Sequence, residues 1–191
     1  MNRERKIVLV GDTRSGKTSL LNRIAHDKFV ENTETTIGCA MEKFTTKFDG
    51  GNEVTLNIWD TAGQEKYQYL STIYFRNADA ALVVYDCTEK DPTKSLEFWI
   101  ESYRNIVGPN GTIVIAANKI DLIQMNEFVE NSKAISQHFD CQVLPVSAKT
   151  GFGVLELFTK VAFEASKAKS EVYISRSLKP KPVSERQNAC C

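Results

Sequence analysis

The sequence predicts an α/β fold with a mostly parallel six-stranded sheet, one antiparallel strand, and helices on both faces. Two observations carry this prediction. Apolar strand candidates alternate with helical stretches along the chain, and one pair of strand candidates is separated only by the turn sequence DGGN. Strands joined through helices pair in parallel with right-handed crossovers, whereas strands joined by a short turn pair antiparallel.

The predicted elements follow in chain order. The strand candidates are KIVLV (6–10), MEKFTTKF (41–48), EVTLNIWD (53–60), ALVVYD (81–86), TIVIAANK (112–119) and CQVLPVSA (141–148). Apolar residues at helical spacing predict helices over 19–29, 93–107, 127–139 and 154–168. The pattern is lost from about residue 170, where polar residues and prolines predominate, so we expect one domain over 1–170 and a flexible tail over 171–191.

The composition is that of an ordinary globular domain. The 191 residues are 42% hydrophobic and 25% charged with a formal net charge of zero, so nothing favours a nucleic-acid partner. No apolar run approaches the length of about 18 residues that a membrane span needs, and the N-terminal MNRERK lacks the features of a signal peptide. Five cysteines without metal-ligand spacing are typical of a reducing compartment.

A phosphate-binding loop is predicted between the first strand and the first helix. The segment GDTRSGKT (11–18) fits the pattern G-x-x-x-x-G-K-[ST]. Its glycines let the backbone curl around a ligand, and its N–H groups and the following helix N-terminus attract phosphate. Lys17 supplies charge for the β- and γ-phosphates, and the Thr18 hydroxyl is placed to bind Mg²⁺. The expected phosphate-side contacts are Gly11, Asp12, Thr13, Arg14, Ser15, Gly16, Lys17, Thr18 and Ser19.

A second polar cluster follows the third strand, where ligands of parallel α/β sheets bind. It is WDTAGQE (59–65). Asp60 is placed to hold Mg²⁺ through water, and the Gly63 N–H can meet a γ-phosphate. The cluster therefore extends the predicted phosphate site to a second loop.

Two later clusters indicate which base is bound. In NKID (118–121), the Asp121 carboxylate can accept hydrogen bonds from N1–H and the 2-amino group of guanine, whereas adenine would leave it unpaired. SAK (147–149) can give a backbone N–H to the guanine O6. Each segment alone is also compatible with an ordinary polar loop. The four clusters in this order, each at a strand end, predict a guanine-nucleotide site.

Over roughly residues 5–170 the chain resembles the Ras-like small GTPases, and within them the Rab family. The resemblance is carried by TIG (36–38), NIWDTAGQE (57–65), VYD with Thr88, SLEFWI (95–100) and the terminal Cys-Cys. It implies that Thr36 binds Mg²⁺ and the γ-phosphate in switch I, and that Gln64 orients the attacking water. It also implies that Phe29 packs edge-on against the guanine and that Lys119 lies along its face.

The resemblance further implies the three-layer P-loop NTPase fold and a Mg²⁺-dependent GTPase that switches between two states in vesicle trafficking. The implied catalytic residues are Gln64 and Lys17, the metal ligands are Thr18, Thr36 and Asp60, and the base contacts are Phe29, Asn118, Lys119, Asp121, Ser147, Ala148 and Lys149. The implied partners are guanine nucleotide, effectors at both switches, an exchange factor, a GTPase-activating protein, an escort protein and a dissociation inhibitor.

The last two residues, Cys190 and Cys191, predict a lipid anchor. A C-a-a-X signal is excluded because Asn188 stands four residues from the end. The resemblance implies geranylgeranylation of both cysteines, and two lipid chains give stable anchoring where one binds only marginally. The tail from residue 176 carries a modest positive charge that favours an anionic leaflet. We therefore expect the protein on the cytoplasmic face of an intracellular membrane, cycling with the cytosol.

Some positions depart from the Rab pattern. Arg14 and Ser15 stand where Rab proteins commonly have glycine and a small apolar residue, and Cys39, Ala40 and Met41 replace the usual residues after switch I. Turned inward, Arg14 would place its charge near the transferring phosphoryl group; turned outward, it would only strain the backbone. We expect the outward orientation, because a residue this early in the loop must fold back sharply to reach the γ-phosphate.

Two other functions fit parts of the sequence. A scaffold module of another Ras-like branch would stay loaded with GTP and hydrolyse little, and the presence of Gln64 argues against it. A kinase of the P-loop type is disfavoured by Asp121 and by the lack of a lid segment for an acceptor substrate.

Overall fold

The computed structural model describes residues 3–31, 39–48, 52–61 and 73–167. Within these ranges the strands are β1 (Arg3–Val10), β2 (Cys39–Phe48), β3 (Asn52–Thr61), β4 (Ala80–Asp86), β5 (Ile113–Asn118) and β6 (Gln142–Pro145). The helices are α1 (Lys17–His26), α2 (Thr93–Val107), α3 (Met125–Phe139) and α4 (Val154–Lys167), with a 3-10 turn at Ile120–Leu122.

The strands form one six-stranded sheet in the order β2-β3-β1-β4-β5-β6. The β2 strand pairs antiparallel with β3, and the pairs β1–β3, β1–β4, β4–β5 and β5–β6 are parallel. This confirms the predicted fold class. The parallel strands direct their carboxyl ends to one edge of the sheet, which is where the polar clusters of the sequence fall.

The central strands are buried on both faces, because their side chains alternate between two hydrophobic cores. In β1, Ile7 and Leu9 join one core, whereas Val8 and Val10 join the other. The first core is covered by α1 and α4, and the second by α2 and α3. Burial on both faces explains why these strands appear as continuous apolar runs in the sequence.

Two element boundaries differ from the predicted ones, and both differences shape the site. The α1 helix ends at His26 rather than near Phe29, because Asp27 adopts a left-handed conformation with φ of 51°. The β6 strand ends at Pro145, three residues before the predicted end. There the Ser147 N–H donates to the Phe152 carbonyl instead of continuing the ladder, so the chain turns across the edge of the sheet.

The remaining features concern cysteines and membrane spans. Cys39, Cys87 and Cys141 are free thiols. Among the described helices, none is both long and apolar enough to cross a bilayer. Residues 168–191, which include the predicted tail and both terminal cysteines, lie outside the described ranges, so the domain boundary stays a prediction.

Candidate functional site

The loop between β1 and α1 has the tightly curled backbone that a phosphate-binding loop requires. Gly11 and Gly16 have φ values of 139° and 94°, a region that favours glycine. A Cβ at Gly11 would lie 2.0 Å from the Val84 carbonyl oxygen, and one at Gly16 would lie 2.2 Å from Nδ2 of Asn118. Neither position can take a side chain, because in each case the neighbouring atom is held by the sheet or by its own hydrogen bonds.

Lys17 lies inside this curl. Its ammonium group donates to the carbonyls of Gly11 and Asp12, at 2.8 Å each, and the residue is only 5% exposed. Burial lowers the pKa of Lys17 to about 8, against the opposing effect of Asp60 and Asp12. Burying the Lys17 ammonium group costs free energy, and the group lies beside the backbone amides of the curled loop. This arrangement is suited to binding an anionic group.

Thr18 and Asp60 join the first helix to the end of β3. The Thr18 hydroxyl donates to Oδ2 of Asp60 at 2.6 Å, and the Asp60 side chain is fully buried. A hydroxyl and a carboxylate in contact form an oxygen donor set of the kind that Mg²⁺ prefers. The residues present therefore fit the metal that the sequence predicts.

Asn118, at the end of β5, links the phosphate loop to the SAK segment. It is 2% exposed, and its amide nitrogen donates to the Ser15 carbonyl at 2.8 Å. Its amide oxygen accepts from the Ala148 N–H at 3.1 Å. One buried side chain therefore fixes the spacing between two loops that are about 130 residues apart in sequence.

The predicted base-reading residues lie together beyond β5 and β6. The Ser147 hydroxyl donates to Oδ1 of Asp121 at 2.5 Å and accepts from the Thr150 N–H at 3.1 Å. Asp121 itself is exposed, whereas Ser147 is fully buried. The buried hydroxyl thus holds one oxygen of an open carboxylate, which leaves the other oxygen accessible to a ligand.

Lys119 lies beside them in a left-handed conformation with φ of 67°, and its ammonium group bonds to Oδ2 of Asp86. The pKa of Asp86 is below its ordinary value: burial alone would raise it, but hydrogen bonds from Lys119 and Thr88 outweigh that effect. This ion pair fixes the end of the Lys119 side chain and so places its aliphatic stem.

Among the other predicted phosphate-loop residues, Ser15 is buried, whereas the rest are more open. Arg14 has φ of 68° and an exposed side chain, the arrangement expected of an outward-pointing residue that strains the backbone. Thr13 is also exposed, and Ser19 is partly buried. Asp12 is anchored from α2, where the buried Trp99 donates its indole N–H to Oδ1 at 2.8 Å. The predicted contact of Arg14 with the nucleotide stays a prediction.

The structure brings most of the predicted site residues to one edge of the sheet. Phe29 is partly buried and packs against the core beneath α1 and α4. Thr36, Gly63 and Gln64 lie outside the described residues, so their roles stay predictions.

Comparison with known proteins decides the family. A model of the Ras family matches residues 6–167. The chain belongs to the Ras family. The GTPase is similar to "GTP-binding protein ypt5" of Schizosaccharomyces pombe, with 40% identity over 159 residues, covering 82% of this chain and 75% of that protein. It is also similar to "Ras-related protein Rab-22A" of Homo sapiens, with 35% identity over 161 residues, covering 84% and 82%.

These relatives confirm the predicted Rab branch. A third, "GTP-binding protein YPT52" of Saccharomyces cerevisiae, is 36% identical over 200 residues, covering 90% of this chain and 86% of that protein. As a Rab-type small GTPase, the protein binds guanine nucleotide, hydrolyses GTP and serves in membrane traffic under the regulators general to that family.

Sequence patterns alone give no role at this site of the GTPase to Arg23, Asp86 or Trp99. The sequence pattern places Arg23 and Trp99 in amphipathic helices and Asp86 at the end of a strand, without a role for any of them. Asp86 directly follows a buried run, as Asp60 and Asn118 do, so its position at a strand end is an available signal. Arg23 and Trp99 lie within helices, and nothing local in the sequence marks their distant partners.

Proposed function

We propose that this GTPase is a switch tethered to an intracellular membrane, in which Mg²⁺ and the γ-phosphate hold two segments that hydrolysis releases. The supporting observation is the Asn118 side chain, which bonds to the phosphate loop and to the SAK segment at once. Because this link sets their spacing, the two loops are suited to grip the phosphate and base ends of one nucleotide.

At the phosphate end, each residue has a separate task. Thr18 and Asp60, with Thr36, would hold Mg²⁺, which offsets phosphate charge when it is bound. Lys17 and the loop amides stabilise the negative charge that develops on the transferred group. Gln64 orients the attacking water. Thr36 and Gly63 contact the γ-phosphate, so its loss frees both segments.

At the base end, the Asp121 carboxylate accepts hydrogen bonds from the guanine N1–H and 2-amino groups, while the Ser147 hydroxyl holds Oδ1 of that carboxylate in place. The Lys119 stem lies along one face of the base and Phe29 meets it edge-on. Effectors recognise the two switch segments. An exchange factor, a GTPase-activating protein, an escort protein and a dissociation inhibitor complete the cycle.

Hydrolysis by this route depends on Gln64. We expect Gln64→Leu to leave GTP affinity within a few-fold and to slow single-turnover hydrolysis by about tenfold or more, since a misplaced water loses its alignment. Gln137→Leu is the matched control, because Gln137 is exposed near the end of α3 and makes none of the site contacts described above. Equal turnover by Gln64→Leu and the parent would remove Gln64 from the mechanism.

Membrane tethering depends on Cys190 and Cys191. Deleting both is expected to leave nucleotide binding intact and to move the protein from the membrane fraction to the soluble fraction of its own cells. A chain with Gln187→Ala and Asn188→Ala, which keeps the cysteines, is the control. Sedimentation of the truncated protein with membranes, as the control does, would show that the tail lipids are not the main anchor.

A further inference from the structure

Arg23 makes an unusual set of hydrogen bonds for a helix residue. From the last turn of α1, its Nε donates to the Ala148 carbonyl and its Nη2 to the Lys149 carbonyl, both at 2.9 Å. Its Nη1 donates to the carbonyl and the Oδ1 of Asp27, at 3.1 and 2.8 Å. The side chain is only 16% exposed. A planar guanidinium can hold several acceptors at fixed angles in this way.

These bonds connect two sides of the proposed base site. Asp27 ends α1 and stands two residues before Phe29, on one side; Ala148 and Lys149 form the SAK segment on the other. We propose that Arg23 is a positioning residue that sets recognition of the guanine O6 and the rate of nucleotide release. The inference rests on the proposed placing of the base between these segments.

The first reason is the orientation of the peptide between Ala148 and Lys149. In a trans peptide the C=O and the N–H point to opposite sides. With the Ala148 carbonyl held by Arg23, the Lys149 N–H is turned away from α1. The Ala148 N–H already donates to Asn118. The Lys149 N–H is therefore the donor of this segment whose direction Arg23 sets, and it is the one we assign to the guanine O6.

The second reason is a chain of bonds that ends on the base-reading carboxylate. Arg23 holds the Lys149 carbonyl, and the N–H of that same peptide, on Thr150, donates to the Ser147 hydroxyl. The Ser147 hydroxyl in turn donates to Asp121. Arg23 thereby orients, through one peptide and one hydroxyl, the residue that faces N1 and the 2-amino group.

A second link between the same regions is weaker. The Lys149 ammonium lies 3.9 Å from a Glu31 carboxylate oxygen, and that glutamate is 81% exposed. Exposed ion pairs contribute little to stability. The largely buried guanidinium of Arg23, with two carbonyl partners in the loop, therefore dominates the coupling.

The test compares Arg23→Met with Arg104→Met. Methionine keeps an unbranched stem and suits a helix but donates no hydrogen bond. Arg104 is a matched control: it lies in α2, is partly buried, and donates to the Phe139 carbonyl away from the site. The affinities of the full chain are measured for GDP and for 6-thio-GDP, which keeps N1–H and the 2-amino group but replaces O6 with sulfur, a weak acceptor.

We expect the parent and Arg104→Met to bind GDP about tenfold more tightly than 6-thio-GDP, as loss of a hydrogen bond predicts. For Arg23→Met we expect the two affinities to agree within about twofold and GDP release to be about tenfold faster. Arg23→Lys, which keeps the charge without the planar fork, should give an intermediate ratio and provides the same comparison from a milder change.

Two results would overturn the inference and are distinct from one another. If both Arg23 variants bind GDP more weakly but keep the parent's ratio, Arg23 is only structural. If the parent itself binds GDP and 6-thio-GDP equally, the proposed O6 contact is wrong, and the role of Arg23 is lost with it.

Discussion

Asp121→Asn is expected to shift the preference of the GTPase from GTP to XTP. An amide at this position presents a donor as well as an acceptor, and xanthine carries an oxygen acceptor where guanine carries its 2-amino donor. Sites built around such hydrogen bonds discriminate strongly, so we expect the ratio of GTP to XTP affinity to fall by about a thousandfold or more. Competition binding with the two nucleotides measures this ratio.

Asp140→Asn is the control for this change. Asp140 is exposed, as Asp121 is, but it caps the C-terminal end of α3 and is not part of the predicted base site. Its replacement should leave the preference for GTP as in the parent. An unchanged preference in Asp121→Asn as well would place the base elsewhere.

Asn118→Ala is expected to weaken GDP binding by about a thousandfold. The substitution leaves the Ser15 carbonyl and the Ala148 N–H without the bonds that Asn118 supplies. Each buried group left unpaired costs about 1–3 kcal/mol, and about 4 kcal/mol in total corresponds to a thousandfold in affinity. Because both loops lose their spacing, the phosphates and the base should be released together.

The control for this prediction is Asn131→Ala, a change of the same side chain at an exposed position on α3. Dissociation of a fluorescent GDP analogue gives the release rate, and thermal melting of the GDP complex reports folding. A folded Asn118→Ala protein that releases GDP at the parent's rate would show that the two loops do not depend on this link.

Local patterns in the sequence are sufficient to predict much of the fold. The α2 helix has the predicted bounds, because its apolar spacing is strong and Gly108 follows it directly. The phosphate loop is predictable because glycines, lysine and threonine stand at fixed spacing within eight residues. In both cases the determining interactions are local in sequence.

Contacts between residues that are far apart in sequence cannot be predicted from such local patterns. The bonds of Asn118 to Ser15, of Trp99 to Asp12 and of Arg23 to Ala148 span 87 to 125 residues. The sequence predicts Asn118 at the site, but its linking role depends on the approach of two loops that only the folded sheet brings together. The predicted end of β6 is wrong for a different reason: the turn there is fixed by the bond from the Ser147 N–H to the Phe152 carbonyl, a local contact that the apolar pattern of the strand does not reveal.

Hydrogen exchange of the parent protein, loaded with GDP or with a non-hydrolysable GTP analogue in the presence of Mg²⁺, tests the switch most directly. We predict that the GTP analogue slows exchange in the segments that contain Thr36 and Gly63, while the six-stranded sheet exchanges equally in both states. Equal exchange of those two segments with either nucleotide would contradict the proposed switch and favour a scaffold that does not respond to hydrolysis.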